Sequence, residues 1–457
     1  MRIVFVNPVG VIGGAERALL TILAALRTTE PSLQLHLIVG TDGPLIEMAQ
    51  DLGVQVKVLK LPDQLNQLGD SALFQSLKGM PGSIKSPNHI ENKTKIINLS
   101  IGRLTLLFRV VKVLPSVAQY LGEFRQAIRE INPDIIHSNG IKTHLLTALA
   151  GSMDVPVVWH IHDFYGSRPL MARALRLLSR GATLGIAISE AVAQDARATL
   201  PRLPIEVIYN SVDVNYFSPE LAVGADSADL PVGKRISEQN PPLPRLNTLE
   251  KLTSPVEPIR IGLVATFARW KGHDIFLEAA AQVIRDRKAA SLREDRPNLN
   301  VRFYIIGGAI YKTKGSQFSE EELREVVSVL QIEDNVDFIG FQQNIAEVYR
   351  WLDIVVHAST QPEPFGLAIV EAMACGKPVI VSQAGGAAEL FTHNYDAVGV
   401  PPGDRAALAS AIEHLIDNPH QRKCLSENAR STVLNRFNHN RLGEQILAAY
   451  KSLAPTL

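Results

Sequence analysis

Short apolar, β-branched runs alternate with amphipathic stretches along the whole chain, and this alternation limits the available folds more than any other feature. Such runs are typical of buried parallel strands, and the amphipathic stretches are typical of helices that cover a sheet. We predict strands at residues 2–7, 34–40, 54–59, 134–139, 156–162, 184–189 and 205–210, and again at 260–265, 301–307, 336–341, 353–358 and 378–382. The expected class is α/β, with two doubly wound, Rossmann-like domains that face each other across a cleft.

Residues 218–258 separate the two sets of strands. They contain seven prolines and little apolar periodicity. This composition predicts a linker or surface insertion rather than a core element. We therefore expect one domain at residues 1–217 and a second at 259–439, with the C-terminal helix 440–457 joined to the first domain. A chain of 457 residues is long enough for two cores.

The formal charge of the chain is balanced, with 46 basic and 46 acidic residues. This balance argues against a nucleic-acid-binding protein. The two cysteines, Cys375 and Cys424, make no disulfide framework and indicate a reducing compartment. No window holds the roughly 18 to 20 apolar residues that span a bilayer, and the amino terminus lacks the pattern of a signal peptide. We expect a cytoplasmic protein, either soluble or peripheral at the membrane.

One segment departs from the balance of charge. Residues 76–112 contain seven lysines and arginines and a single acidic residue. Two interpretations stay open: the segment docks on an anionic membrane surface or an anionic acceptor, or it is a basic loop beside a core helix whose charges face water.

The sequence EPFGLAIVEAMACGKPVI, residues 363–380, places two carboxylates around the start of a helix. Pro364 disfavours helical backbone at Glu363, so this glutamate belongs on a loop, and a helix is expected over residues 366–374. Glu371 lies about one turn into that helix, in an otherwise apolar run. A buried carboxylate needs hydrogen-bond donors, which the hydroxyls of a ribose or another sugar supply. The alternative is a solvated loop glutamate and a helix-surface glutamate.

The start of the same helix is a second candidate binding feature. The amides of Phe365, Gly366 and Leu367 have no intrahelical partners and lie at the positive end of the helix dipole. A phosphate or a sugar hydroxyl can accept hydrogen bonds from them.

Two cations, Arg269 and Lys271, follow the first strand of the second domain in the sequence ATFARWKGHD. On an extended loop, two positions apart, both side chains would project into the same cleft. Two cations beside a helix start can neutralise a diphosphate, both while it is bound and as it departs. The alternative is an exposed basic loop.

Two features of the first domain complete the candidate site. Gly13 and Gly14 lie between the first strand and the first helix, where glycines let the backbone approach a ligand or simply make a tight turn. His160 and His162 lie on one face of a regular strand. A metal would need more ligands than these and the adjacent Asp163, so we predict no metal site.

Together these motifs resemble the retaining, nucleotide-sugar-dependent GT-B glycosyltransferases of family 4. Glu363 and Glu371 match the Glu-x7-Glu signature of that family, and its members have a similar GGAER-like loop. Residues 187–196, 208–219 and 382–390 are also similar to family elements, although Ser211 stands where the family usually has glycine. The resemblance covers nearly the whole chain except residues 63–95 and 219–257.

The resemblance implies transfer of a sugar from a UDP- or GDP-sugar to a hydroxyl of a glycan or lipid-linked acceptor, with retention at the anomeric carbon. It places the acceptor side in the first domain and the nucleotide sugar in the second. Arg269 and Lys271 then bind the donor diphosphate, while Glu363 holds sugar hydroxyls and Glu371 the ribose. No metal or other cofactor is required.

The same resemblance places His162 near the anomeric centre of the donor sugar and leaves His160 as a hydrogen-bonded core histidine. The expected catalytic residues are therefore His162, Glu363, Arg269 and Lys271. Two other functions remain open on this fold. A non-hydrolysing nucleotide-sugar 2-epimerase would need general acid and base carboxylates and no acceptor, and a noncatalytic nucleotide-sugar-binding partner would need no catalytic groups.

Overall fold

The computed structural model describes residues 1–62, 115–151, 155–220, 258–292, 300–309 and 315–454. The first of its two sheets is entirely parallel, with the strand order β3-β2-β1-β4-β5-β6-β7. Its strands are β1 (Arg2–Asn7), β2 (Gln34–Val39), β3 (Gln55–Val58), β4 (Ile135–Asn139), β5 (Val157–Ile161), β6 (Leu184–Ala187) and β7 (Ile205–Val207).

The second sheet is also parallel, with the order β10-β9-β8-β11-β12-β13. Its strands are β8 (Ile259–Val264), β9 (Val301–Ile306), β10 (Val336–Gly340), β11 (Ile354–His357), β12 (Val379–Ser382) and β13 (Val398–Val400). In each sheet the strand order reverses beside the first strand, at β1/β4 and at β8/β11. Ligands of doubly wound folds bind at such switch points, beyond the carboxyl ends of the strands.

Helices cover both sheets. Among the described residues of the first half, the helices are Gly14–Thr29, Leu45–Asp51, 115–131, Ile141–Ala150, Pro169–Leu178 and Glu190–Thr199. Those of the second half are His273–Leu292, Glu320–Leu330, Ile345–Trp351, Leu367–Ala374, Arg405–Asp417, Pro419–Arg436 and His439–Leu453. The prediction of two doubly wound, Rossmann-like domains is confirmed. Within the described ranges, no helix combines the length and the apolar character that crossing a bilayer requires.

The last helix, His439–Leu453, packs against the first helix, Gly14–Thr29. Gly443 allows this close approach, because a Cβ there would lie 2.8 Å from the Ala25 carbonyl oxygen. The Tyr450 hydroxyl lies 2.6 Å from Nδ1 of His137, deep under the first sheet. The helix His439–Leu453 is therefore built into the same core as the first strand and the first helix.

The chain passes between the two sheets at two places, which lie side by side. The Val212 amide donates to the Phe437 carbonyl at 2.9 Å. The Arg430 guanidinium donates to the carbonyls of Val214 and Phe217 at 2.9 and 2.7 Å. These bonds join the outgoing and the returning segments directly.

The predicted linker and the basic segment fall largely beyond this description. Residues 76–112 lie outside the described residues, and so do residues 221–257 of the 218–258 linker. The predictions made for them remain predictions.

Candidate active site

The loop that carries Glu363 is held in place by the turn after β12. The Glu363 amide donates to the Ala384 carbonyl at 3.3 Å, and the Gly386 amide donates to the Glu363 carbonyl at 2.7 Å. A Cβ at position 386 would lie 2.2 Å from the Pro364 carbonyl oxygen, so only glycine fits there. The two glycines at 385 and 386 thus fix the backbone of the loop from which Glu363 projects.

The Glu363 carboxylate is buried, with 8 % of the residue exposed, and is surrounded by donors. Lys271 Nζ lies 2.8 and 3.0 Å from its two oxygens, and the Ser359 hydroxyl donates at 3.0 Å. His357 Nε2 lies 3.2 Å away. Burial disfavours the charged carboxylate, but the Lys271 ammonium and His357 outweigh it and hold the Glu363 pKa well below its usual range. Glu363 is therefore an ionised hydrogen-bond acceptor.

Lys271 and Arg269 lie in a one-turn 3₁₀ helix, Arg269–Lys271, and not on the extended loop that we expected. The tight turn sends the two cations to different partners. Arg269 pairs with Glu322 at 2.6 Å. Its guanidinium carbon Cζ also lies 4.3 Å from the centroid of the Phe318 ring. Lys271 pairs with Glu363. The structure thus brings Lys271 to the predicted carboxylate but ties Arg269 to an exposed glutamate.

The helix Leu367–Ala374 begins one residue later than predicted. Gly366 precedes it with a φ of 107°, a conformation that favours glycine. Among the described residues, no protein acceptor takes a hydrogen bond from the amides of Gly366 and Leu367. Phe365 is buried at 2 % exposure, which anchors the loop. The start of this helix therefore presents free amides beside Glu363.

Glu371, the second carboxylate of the pair, is buried on the same helix at 5 % exposure. The Tyr349 hydroxyl donates to it at 3.1 Å, and Arg17 of the first domain donates at 3.2 Å. Burial, reinforced by the Glu371 charge, raises the Tyr349 pKa well above its usual value. A glutamate on the surface of the helix, the alternative considered above, does not fit this burial.

The glycine loop lies at the carboxyl end of β1. The Gly13 amide donates to the Glu16 side chain at 3.0 Å, and the helix begins at Gly14. A Cβ at Gly14 would have no described atom within 4 Å, so the loop is open on that side. Arg17, one turn further on, connects this loop to Glu371.

His162 follows β5 and lies next to the end of β4. Its Nε2 is 2.6 Å from Oδ1 of Asn139, and burial lowers its pKa to about 4. The His160 and His162 rings are 4.2 Å apart. His160 is buried as expected, but its Nδ1 has no hydrogen-bond partner among the described residues. The prediction of a hydrogen-bonded core histidine is wrong for that nitrogen; the His160 ring lies 5.1 Å from the His137 ring and 4.2 Å from the His162 ring.

Several residues of the site were not predicted. His357 and Ser359 could have been found from the sequence, because His357 ends a buried strand and Ser359 follows it by two residues, at the carboxyl end that faces the cleft. Asn139 also ends a strand, β4. No group of three or more His, Cys, Asp or Glu side chains suited to a metal ion occurs in the described part of the chain.

The chain matches known protein families over both domains. The family described as glycosyl transferases group 1 matches residues 245–432, and glycosyltransferase family 4 matches residues 91–216. Two doubly wound domains, each matched by one of these family models, define the class. The chain belongs to the GT-B glycosyltransferases of the family 4 type.

Individual proteins are similar to this chain at low sequence identity. N-acetyl-alpha-D-glucosaminyl L-malate synthase of Bacillus anthracis is 24% identical over 331 residues, which are 70% of this chain and 74% of that protein. Anabaena HepE, solved in complex with UDP, is 24% identical with a TM-score of 0.69, and the match covers 99% of this chain and 100% of HepE. Sucrose-phosphate synthase from Thermosynechococcus elongatus is 17% identical with a TM-score of 0.68 over 100% of both chains. At these identities the likeness concerns the fold.

Proposed function

We propose that the protein transfers a sugar from a UDP- or GDP-sugar to an acceptor hydroxyl, with retention of configuration at the anomeric carbon. The buried Lys271–Glu363 pair beside the free amides of Gly366 and Leu367 is the observation that carries this proposal. It combines an anion that binds hydroxyls with donors that bind phosphate. A sugar joined to a diphosphate needs both.

The nucleotide would bind along the helix Leu367–Ala374. Anabaena HepE was solved with UDP and with UDP-glucose, which supports a uridine nucleotide for a chain of the same fold. The Glu371 carboxylate is buried and can accept two hydrogen bonds from a ribose diol. In the present structure, Arg17 and Tyr349 occupy it.

The chemistry assigned to the second domain is electrostatic. Lys271, the amides at the helix start and a released Arg269 would stabilise the departing diphosphate, and no metal or cofactor is then needed. A phosphate oxygen of the leaving group would take the proton of the acceptor on the same face of the sugar. Glu363 stays ionised because of Lys271, so its part is to hold sugar hydroxyls rather than to donate a proton.

The acceptor is proposed to be a glycan or a lipid-linked glycan, met by a cytoplasmic protein that touches the membrane peripherally. The helix Pro169–Leu178 supports this idea. Leu175 is its single buried residue, whereas Leu177 is 81 % exposed. Residues 168–180 carry four arginines and no acidic residue. An exposed leucine among arginines suits an anionic lipid surface.

The test is a binding and product assay. Thermal shifts with UDP, GDP, ADP and their sugars identify the nucleotide, and NMR of the product made with free acceptors gives the anomeric configuration. A glycoside of unchanged configuration, formed equally well in EDTA, supports the proposal. An inverted product, an epimerised donor without transfer, or donor binding without any product overturns it.

A further inference from the structure

A chain of hydrogen bonds runs from the glycine loop to His162 along the ends of three neighbouring strands. The Gly13 amide donates to Glu16 Oε2 at 3.0 Å, and Asn7 Nδ2 lies 3.3 Å from Glu16 Oε1. Asn139 Nδ2 donates to Asn7 Oδ1 at 2.7 Å, and His162 Nε2 lies 2.6 Å from Asn139 Oδ1. Asn7 ends β1, Asn139 ends β4 and His162 follows β5, which are adjacent in the sheet.

The direction of each bond in this chain is dictated by groups that can only accept. The Val9 carbonyl can only accept, so the Asn7 side-chain atom 2.6 Å from it is the donor Nδ2. The Asn7 atom that faces Asn139 is then the acceptor Oδ1. Asn139 must then present Nδ2 to Asn7, and the Ala15 carbonyl, 3.4 Å from the same atom, requires the same orientation.

His162 is left with one arrangement. Asn139 presents Oδ1 to it, so Nε2 of His162 must carry a proton. Burial lowers the His162 pKa to about 4, so the ring is neutral at neutral pH and Nδ1 holds a lone pair. Asn7 and Asn139 are each 1 % exposed, so water does not compete for these bonds.

We propose that Asn7 and Asn139 are positioning residues that hold His162 in its neutral Nε2-H tautomer, with Nδ1 as a hydrogen-bond acceptor. The assignment of a substrate hydroxyl to that acceptor rests on the proposed function. The tautomer itself does not, since it follows from the carbonyls of Val9 and Ala15.

The tautomer is tested directly by NMR. Protein labelled with ¹⁵N-histidine is recorded at neutral pH, and the His162 signals are assigned from their loss in His162→Phe. The wild-type ring is expected to show a protonated Nε2 and an unprotonated Nδ1, and Asn139→Leu is expected to shift both nitrogens toward a tautomer average. A wild-type ring protonated on Nδ1, or unchanged nitrogens in Asn139→Leu, overturns the proposal.

The positioning role is tested by a double-mutant cycle on turnover. Asn139→Leu is expected to lower kcat by about tenfold or more, with the KM for the donor within about threefold, because a misoriented group costs rate more than binding. Asn7→Leu, which does not touch His162, should act in the same direction. In a His162→Phe background, Asn139→Leu should change kcat by less than about twofold.

Matched controls separate positioning from loss of stability. Thr147→Val removes another buried, hydrogen-bonded side chain of the first domain and should leave kcat unchanged at a similar melting temperature. If Asn139→Leu lowers kcat equally in the His162→Phe background, the residue acts through the fold and the proposal fails. If the wild type forms no glycoside at all, the proposed function fails while the NMR result still decides the tautomer.

Discussion

Arg17 of the first domain and Glu371 of the second are joined by an ion pair of 3.2 Å across the cleft. The two side chains differ in accessibility, since 46% of the Arg17 side chain is exposed but only 7% of the Glu371 side chain. The carboxylate is the group proposed to bind ribose, and Arg17 occupies one of its oxygens. A nucleotide that enters the site must therefore displace this arginine or share the carboxylate with it.

Removing Arg17 is expected to strengthen nucleotide binding. Arg17→Met frees Glu371 for the ribose diol, and the gain should be about two- to fivefold in the Kd for UDP, the scale of a half-exposed ion pair. Isothermal titration calorimetry measures it. Arg129→Met removes an exposed arginine remote from the cleft and serves as the control. Weaker binding in Arg17→Met would mean that the arginine contributes to the donor site.

The Lys271–Glu363 pair is expected to be necessary both for stability and for turnover. Lys271→Met should lower the free energy of unfolding by about 3 to 5 kcal/mol, because it leaves a buried carboxylate unpaired. The double variant Lys271→Met/Glu363→Gln should recover most of that loss, since no unpaired charge remains, yet stay inactive. Denaturant titration and the product assay measure the two effects. A double variant with wild-type turnover contradicts the catalytic assignment.

Releasing Arg269 from Glu322 is expected to favour the donor. Glu322→Gln keeps the side-chain bond of the helix capping box but removes the charge that holds Arg269. The KM for the donor should fall by about twofold, as expected for an exposed pair. Arg269→Ala should instead lower kcat/KM, by an amount that corresponds to a loss of roughly 2 to 4 kcal/mol of transition-state stabilisation. If both variants match the wild type, Arg269 is only a surface residue.

The free energy of unfolding is expected to decrease as the pH is lowered below about 6.5, because histidines of the unfolded chain become protonated there. Burial lowers the pKa of His137 to about 3 and those of His162 and His273 to about 4. Between pH 6.5 and pH 4, these histidines bind protons mainly in the unfolded state. Their contribution to stability is therefore fully present above pH 6.5 and is lost as the pH falls toward 4. Each histidine should cost about 1 to 2 kcal/mol between pH 7.5 and pH 5.

Urea unfolding at pH 7.5 and pH 5 checks this expectation. Carboxylates of the unfolded chain are still mostly ionised at pH 5, so the histidines dominate the difference. His162→Gln should reduce the pH effect, whereas His420→Gln, at an exposed position, should not. Equal unfolding midpoints at the two pH values would contradict the prediction.

The helix Pro169–Leu178 is expected to bind anionic membranes. Arg173→Glu/Arg176→Glu should weaken binding to phosphatidylserine liposomes by at least about tenfold, since each basic residue near such a surface contributes about 1 kcal/mol. Arg285→Glu/Lys288→Glu makes the same charge change on the second domain and should bind like the wild type. Liposome co-sedimentation at low and high salt measures both. Equal sedimentation of the two variants would rule out this surface.

The fold was largely predictable because its strands are continuous apolar runs. All twelve predicted strands occur, eleven of them within two residues of their expected ends, whereas β7 ends three residues early, at Val207. The thirteenth, Val398–Val400, was missed because three residues carry too little periodicity. Glycine and proline signals placed the loop of Glu363 and the helix after it. Apolar runs and glycine and proline signals involve residues that are close together in the sequence, so they can be recognised without knowledge of the tertiary structure.

The partners within the site were much less predictable. Arg17 and Glu371 are 354 positions apart, and no local pattern indicates that they meet. Arg269 and Lys271 were expected to act together on an extended loop, but a single 3₁₀ turn aims them at Glu322 and Glu363. A sequence shows which side chains end strands, but the pairing between domains depends on how the sheets are placed relative to each other.

The hydrogen bond between Val212 and Phe437 ties the outgoing and the returning crossings of the chain together. The two segments that connect the domains lie side by side at this bond and form a common pivot. Each segment therefore restricts the domain movement that the other would allow. We expect the two domains to rotate about this pivot when the cleft opens, rather than to slide past each other. Opening of the cleft should therefore be a one-dimensional motion, which a single pair of fluorescent labels can follow.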